Sequence, residues 1–195
     1  MRTLLPLVLT LAACVSSADP ERYRLAERTG DWVIAGEDPM LPGLRTRYPE
    51  FFVALLDSER RQDLDLRPLR EDLEHEPVDR RNYDALNAIA FAYFEMNARA
   101  EARRGEIAYL GHSFQTAKLA AVPWSAYGRV RDEALRNAIL DFFEDIASGG
   151  KLDSGRTASR LSRTVSSLEK KESDATRRAR IRRIAEALEA QSATP

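Results

Sequence analysis

Cysteine is almost missing: a single thiol, Cys14, stands in 195 residues. No intrachain disulfide can form, and a thiolate-rich metal centre is excluded. Histidine is nearly as scarce, with only His75 and His112, and a zinc site would need further ligands at matched spacing. No apolar run approaches the roughly 20 residues of a membrane-spanning helix. An excess of one charge is lacking as well, since 30 basic residues face 31 acidic ones. That balance removes any global electrostatic ground for a nucleic-acid partner, and none is expected. Alternating strand patterns are absent too. The one β-like run, Trp32-Val33-Ile34, has no second run to pair with.

What the chain does have begins at its first residues. Arg2 supplies positive charge, Leu4 to Leu11 form a short apolar run interrupted by Pro6, and Ala12 and Ala13 are small residues before Cys14. This is the three-part pattern of an export signal. Ser16, Ser17 and Asp19 end the apolar stretch. Leu11-Ala12-Ala13-Cys14 resembles the lipobox of bacterial lipoproteins, and the resemblance covers residues 1–14. It implies that 1–13 is a cleaved signal peptide and that Cys14 is the lipid attachment site, carrying a diacylglyceryl thioether and usually a third, palmitate-like chain. Two or more acyl chains anchor stably, where one alone does not. Val15 follows where an Asp would favour inner-membrane retention in a proteobacterium. The resemblance therefore implies the periplasmic face of the outer membrane. Residues 14–20 read as lipidated Cys and tether. The stretch from Val15 to Asp19 spans at most about 18 Å, which sets the folded body close to the bilayer.

Residues 21–150 read as a helical domain and 151–195 as a basic helical hairpin packed on it. Asp19-Pro20-Glu21 carries a helix-start signal and Gly30 a stop. Gly36, Pro39, Pro42 and Gly43 mark 31–47 as an irregular, extended segment. Phe51, Phe52, Leu55 and Leu56 line a short helix, and Leu66, Leu69 and Leu73 another that ends before Pro77. Tyr83, Leu86, Ala90, Tyr93 and Asn97 step 3,4,3,4; Ile107, Leu110, Phe114, Ala117 and Ala121 repeat the rhythm up to Pro123. Arg103-Arg104-Gly105 divides them into two helices. Leu135, Ile139, Phe142 and Ile146, then Ala158, Leu161, Val165 and Leu168, then Ile181, Ile184 and Leu188 mark three more, with Ser154 as a cap before the second. The expected fold class is all-α, an antiparallel helical bundle or hairpin array of about six to eight helices.

Few residues invite a chemical reading. His75-Glu76 sits at a helix end, and His112 has no second ligand within two turns of its own helix. Gly111-His112-Ser113-Phe114-Gln115 departs from the G-x-S-x-G nucleophile elbow at its last position, and it falls in a helical pattern where that motif needs a strand. Asp141, Glu144 and Asp145, like Asp63 and Asp65, fall between apolar steps where solvated charge is expected. No catalytic residue, metal ligand or cofactor is expected. Trp32, Trp124 and Tyr127 are candidates for lining a small apolar or lipid-like ligand.

Charge is uneven in one place. Eleven basic residues against four acidic ones lie between Lys151 and Arg183. The densest part contains Arg177, Arg178, Arg180, Arg182 and Arg183, a candidate face for an anionic surface or an acidic envelope partner. The competing reading is a solvated helix balanced by the acidic 57–84 segment. Residues 86–102 also resemble a tetratricopeptide hairpin through Leu86, Ile89-Ala90, Tyr93, Asn97 and Ala102. Glu106 breaks the pattern, and only Tyr127 keeps register one repeat of about 34 residues later. The function expected is that of a membrane-anchored, non-enzymatic accessory or scaffold protein. The alternative is a helical binding module for a small apolar or lipid-like ligand.

Overall fold

The computed structural model describes residues 41–56, 64–102, 109–148 and 155–192. Every regular element in them is a helix: α1 Leu41–Arg47, α2 Pro49–Leu56, α3 Arg67–Leu73, α4 Arg80–Ala102, α5 Tyr109–Tyr127, α6 Glu133–Ser148, α7 Gly155–Glu169 and α8 Ala175–Ser192. The chain is an all-α helical bundle. Cys14, Trp32, Gly105 and Ser154, with their expected roles, lie outside the described residues.

α4 is the central rod. From Asp84 to Tyr93 every side chain is buried, because α1, α3, α5 and α6 each pack against it. A helix covered on several sides is apolar around most of its circumference, which explains the run of Ala85, Leu86, Ala88, Ile89, Ala90, Phe91 and Ala92. The start of α4 is doubly capped. Asp79 Oδ1 accepts from the Arg81 amide at 2.8 Å, and Asn82 Oδ1 accepts from the Asp79 amide at 2.8 Å, a reciprocal arrangement like the capping box. The buried Asn82 amide also donates to the carbonyls of Leu73 (3.0 Å) and His75 (2.9 Å). One side chain thus ties the end of α3 to the beginning of α4.

α3 and α5 also pack on α4 and on each other, and α6 contacts both α4 and α5. The last two helices form a tight pair. α8 rests on α6 and α7 rests on α5, so the basic C-terminal hairpin is part of the same packed body. Ile181, Ile184 and Leu188 of α8 join one hydrophobic core with Leu86 of α4 and Ile139 of α6. None of the described helices is long and apolar enough to cross a membrane.

Two expectations require correction. The irregular segment expected over 31–47 is helical in its last part, Leu41–Arg47. Pro42 stands in the first turn, where its missing N–H costs no helical hydrogen bond, and Thr46 Oγ1 donates to its carbonyl at 2.9 Å. Second, Pro123 does not end α5, which runs on to Tyr127. A proline inside a helix costs about 3 kcal/mol. Val122, Ala126 and Tyr127 around it are at most 1% exposed, and burial of that face offsets the loss.

Candidate functional site

The five arginines do not share one environment. The 4,3,4 spacing of Arg177, Ile181, Ile184 and Leu188 places Arg177 on the buried face of α8, 9% exposed. Its Nε lies 3.4 Å from Glu172 Oε2, and Nη1 lies 3.7 Å from Glu133. Arg180 projects across to α6, where Nη2 donates to Asp141 at 2.6 Å and Nε to Glu144 at 2.8 Å. Arg182 reaches back to Glu169 of α7 at 2.6 Å. Arg178 is exposed and donates to the carbonyls of Glu172 (3.0 Å) and Ser173 (3.1 Å). Arg183 is exposed. Only Arg178 and Arg183 of the five face solvent without a carboxylate partner among the described residues.

Among the described residues, the balancing carboxylates are not those of the 57–84 segment. Four of its acids pair with arginines outside the basic run: Asp72 with Arg47 at 3.0 Å, Asp65 with Arg67 at 2.7 Å, Asp79 with Arg81 at 2.9 Å, and Glu74 with Arg129 at 2.7 Å. Tyr48 also donates to Asp72 at 2.8 Å, and its pKa is raised, by burial first and then by that carboxylate. Asp141 and Glu144, expected to be merely solvated, are the acids that hold Arg180. Arg180→Ala is therefore expected to destabilise the fold by about 1–2 kcal/mol, through a lost charge-assisted hydrogen-bond set. Arg178→Ala and Arg183→Ala are expected to stay within about 0.5 kcal/mol of the parent. Urea unfolding of the three variants checks the order.

A buried polar node escaped the sequence reading. Glu172, in the turn between α7 and α8, has a side chain with no solvent exposure. It accepts from the Tyr127 hydroxyl at the end of α5 and from the Asp174 amide at 2.9 Å, and it forms an ion pair with Arg136 Nη2 of α6 at 3.0 Å. Arg177 closes the group, and the Arg136 guanidinium lies 4.6 Å over the Tyr127 ring. Burial pushes the Glu172 carboxyl towards a higher pKa. The Tyr127 and Asp174 hydrogen bonds and the arginine charges outweigh it, so the net shift is downward. Burial and the bond to Glu172 push the Tyr127 phenol up. The node sets one fully buried carboxylate between two guanidiniums and ties α5, α6 and α8 together at the α7–α8 turn, which makes it a clamp between helices.

His75 follows α3, against Arg81 and 3.9 Å from Asp79. His112 lies within α5, as does the whole Gly111–Gln115 stretch, so the elbow-like run is helical. No group of three metal-ligating side chains converges among the described residues.

Trp124 lines a cleft of about 250 Å³ between α5 and α7. Ala117 and Ala121, one turn apart on α5, are small enough to leave the space open, and Leu161 of α7 forms the opposite apolar wall. Lys118 and Arg160 line it from the two helices. Thr164 also borders it, with its hydroxyl donating to the Arg160 carbonyl at 2.8 Å. None of the described lining residues is acidic. The neighbouring Tyr127 points its hydroxyl into the Glu172 node instead. The chain matches no family model, no curated protein and no solved structure.

Proposed function

We propose that this chain is a bacterial envelope lipoprotein, anchored through acylated Cys14 on the periplasmic face of the outer membrane. There it serves as a non-enzymatic scaffold that holds an envelope partner at the bilayer. The observation that carries the reading is Leu11-Ala12-Ala13-Cys14, in which the lone thiol of the chain follows two small residues and a short apolar run. The helical body suits the scaffold part, because packed helices offer wide, rigid faces for another protein. Arg178 and Arg183 are the exposed members of the basic run with no carboxylate partner among the described residues, available to an acidic partner.

Acylation is the direct test. Expressed in a bacterium fed an alkyne-tagged palmitate, the chain is expected to take up the label and sediment with membranes. Cys14→Ser is expected to lose the label and leave the membrane fraction. A wild-type chain that stays unlabelled rejects the anchor. Recovery of the labelled chain without a reproducible co-purifying envelope protein, at low and moderate salt, rejects the scaffold role and leaves the anchor intact.

A further inference from the structure

α7 has two unlike faces. Ala158, Leu161, Val165 and Leu168, at 3,4,3 spacing, are buried. Arg160, Arg163, Ser167 and Lys170, at the same spacing on the opposite side, are exposed, and Lys171 continues them into the turn. The result is a cationic stripe about 15 Å long from Arg160 to Lys170. None of its four cations has a carboxylate partner among the described residues. Arg163 Nε donates to the Ser159 carbonyl of its own helix at 3.3 Å, which lays the guanidinium along the helix surface. The sole acid in the sequence of α7, Glu169, is taken by Arg182. Two kinds of anionic surface fit such a stripe in charge. A protein interface is built round buried apolar or aromatic anchors, and the exposed side of α7 offers none. Among the described residues Val53 of α2 is the only large apolar side chain left exposed. A bilayer of anionic lipids asks only for positive charge spread over a plane.

We propose that the stripe formed by Arg160, Arg163, Lys170 and Lys171 lies against anionic phospholipid headgroups, of the phosphatidylglycerol type, in the leaflet that carries the anchor. The proposal rests on the membrane-anchored reading for its setting and deepens it. The acyl chains decide where the body sits, and the stripe decides which side of it meets the bilayer. A tether of at most about 18 Å keeps α7 within reach of that surface. Arg183 stands about 100° round α8 from Arg182, the residue that reaches back to α7. It therefore stays free for a protein partner while α7 faces the lipid.

The test tethers the full chain, made cell-free and so unacylated, to a maleimide lipid in vesicles through Cys14, its only thiol. That coupling sets the chain at a bilayer whether or not a cell acylates it. Acetylation by a neutral reagent, read residue by residue by mass spectrometry, then reports on Lys170 and Lys171. Vesicles of phosphatidylcholine with phosphatidylglycerol are expected to slow their acetylation severalfold relative to pure phosphatidylcholine, and about 0.5 M salt is expected to abolish the difference. Arg160→Gln with Arg163→Gln, both at exposed positions, removes two charges and keeps both probes. It is expected to weaken docking about twentyfold, at about fivefold for each charge, and to return acetylation to the phosphatidylcholine rate. Arg183→Gln, off the stripe, is expected to keep the protection. Unchanged helical circular dichroism shows that the fold persists in each variant. Equal rates on both vesicle types overturn the proposal, as does protection that survives the paired substitution or is lost as readily with Arg183→Gln. A co-purifying acidic protein that protects the two lysines on pure phosphatidylcholine assigns the stripe to a protein and likewise overturns it. Palmitate labelling reads the anchor separately, so either idea can fall without the other.

Discussion

Replacing Glu172 with glutamine is expected to lower the free energy of unfolding by about 3–5 kcal/mol, the cost of breaking a buried ion pair by removing one partner. The substitution keeps the shape and removes the charge. Arg177, 9% exposed, and Arg136, whose side chain is 20% exposed, would then lose their shared buried counter-ion, leaving Arg177 only the exposed Glu133 at 3.7 Å. Tyr127 would lose its anionic acceptor, and with it the link between α5 and the α7–α8 turn. Equilibrium urea unfolding measures the loss. A change below about 1 kcal/mol would mean that the arginines find other partners and that the node clamps nothing.

The same group fixes a pH dependence. The folded-state pKa of Glu172 lies below its ordinary value. Its contribution to stability is therefore complete above the usual carboxylate range, near 4.3 in an unfolded chain. It is lost as pH falls from there through the folded-state pKa. The gap between the wild type and Glu172→Gln should be widest at neutral pH and close progressively in that acidic window. Carboxylates common to both proteins cancel in the difference, which isolates this one group.

The helical skeleton was legible in the sequence where each helix presents one apolar stripe. α6 is the clearest case: the spacing of Leu135, Ile139, Phe142 and Ile146 marks its buried side, and all four are at most 2% exposed. The reading failed where a side chain's role depends on what lies across from it. Asp141 and Glu144 sit between apolar steps and look solvated, yet Arg180 arrives from 36 to 39 residues away. Glu172 carried no local signal at all, because Tyr127 and Arg136 come from helices earlier in the chain. Arg177 was readable and was missed: the spacing that marks Ile181, Ile184 and Leu188 as core extends back to it. Five arginines close in sequence looked like one patch, but a helix turns about 100° per residue and distributes them over several sides. The cleft at Trp124 was half legible. Its aromatic residue stood out, but the α7 wall that closes it is a tertiary fact.

Phe142→Ala is expected to cost about 3–5 kcal/mol, in the range for truncating a fully buried phenylalanine. Phe142 is 0% exposed. Its ring meets Tyr93 edge-on at 5.7 Å and Phe94 at 6.4 Å, both on α4, and Phe143 on its own helix at 5.3 Å. Truncation removes the contact that joins α6 to the central rod and leaves a hole that rigid helices cannot close. Beyond its buried area, each well-oriented aromatic pair adds about 0.5–1.5 kcal/mol, so Phe142→Leu, which refills most of the volume, should recover much but not all of the loss. Val53→Ala supplies the contrast, since Val53 is 54% exposed and its truncation should change stability by no more than about 0.5 kcal/mol. Thermal unfolding should separate the two by about 10 °C, at roughly 2–4 °C per kcal/mol for a chain of this size. A loss at Phe142 as small as that at Val53 would mean that α6 does not depend on this aromatic contact with α4.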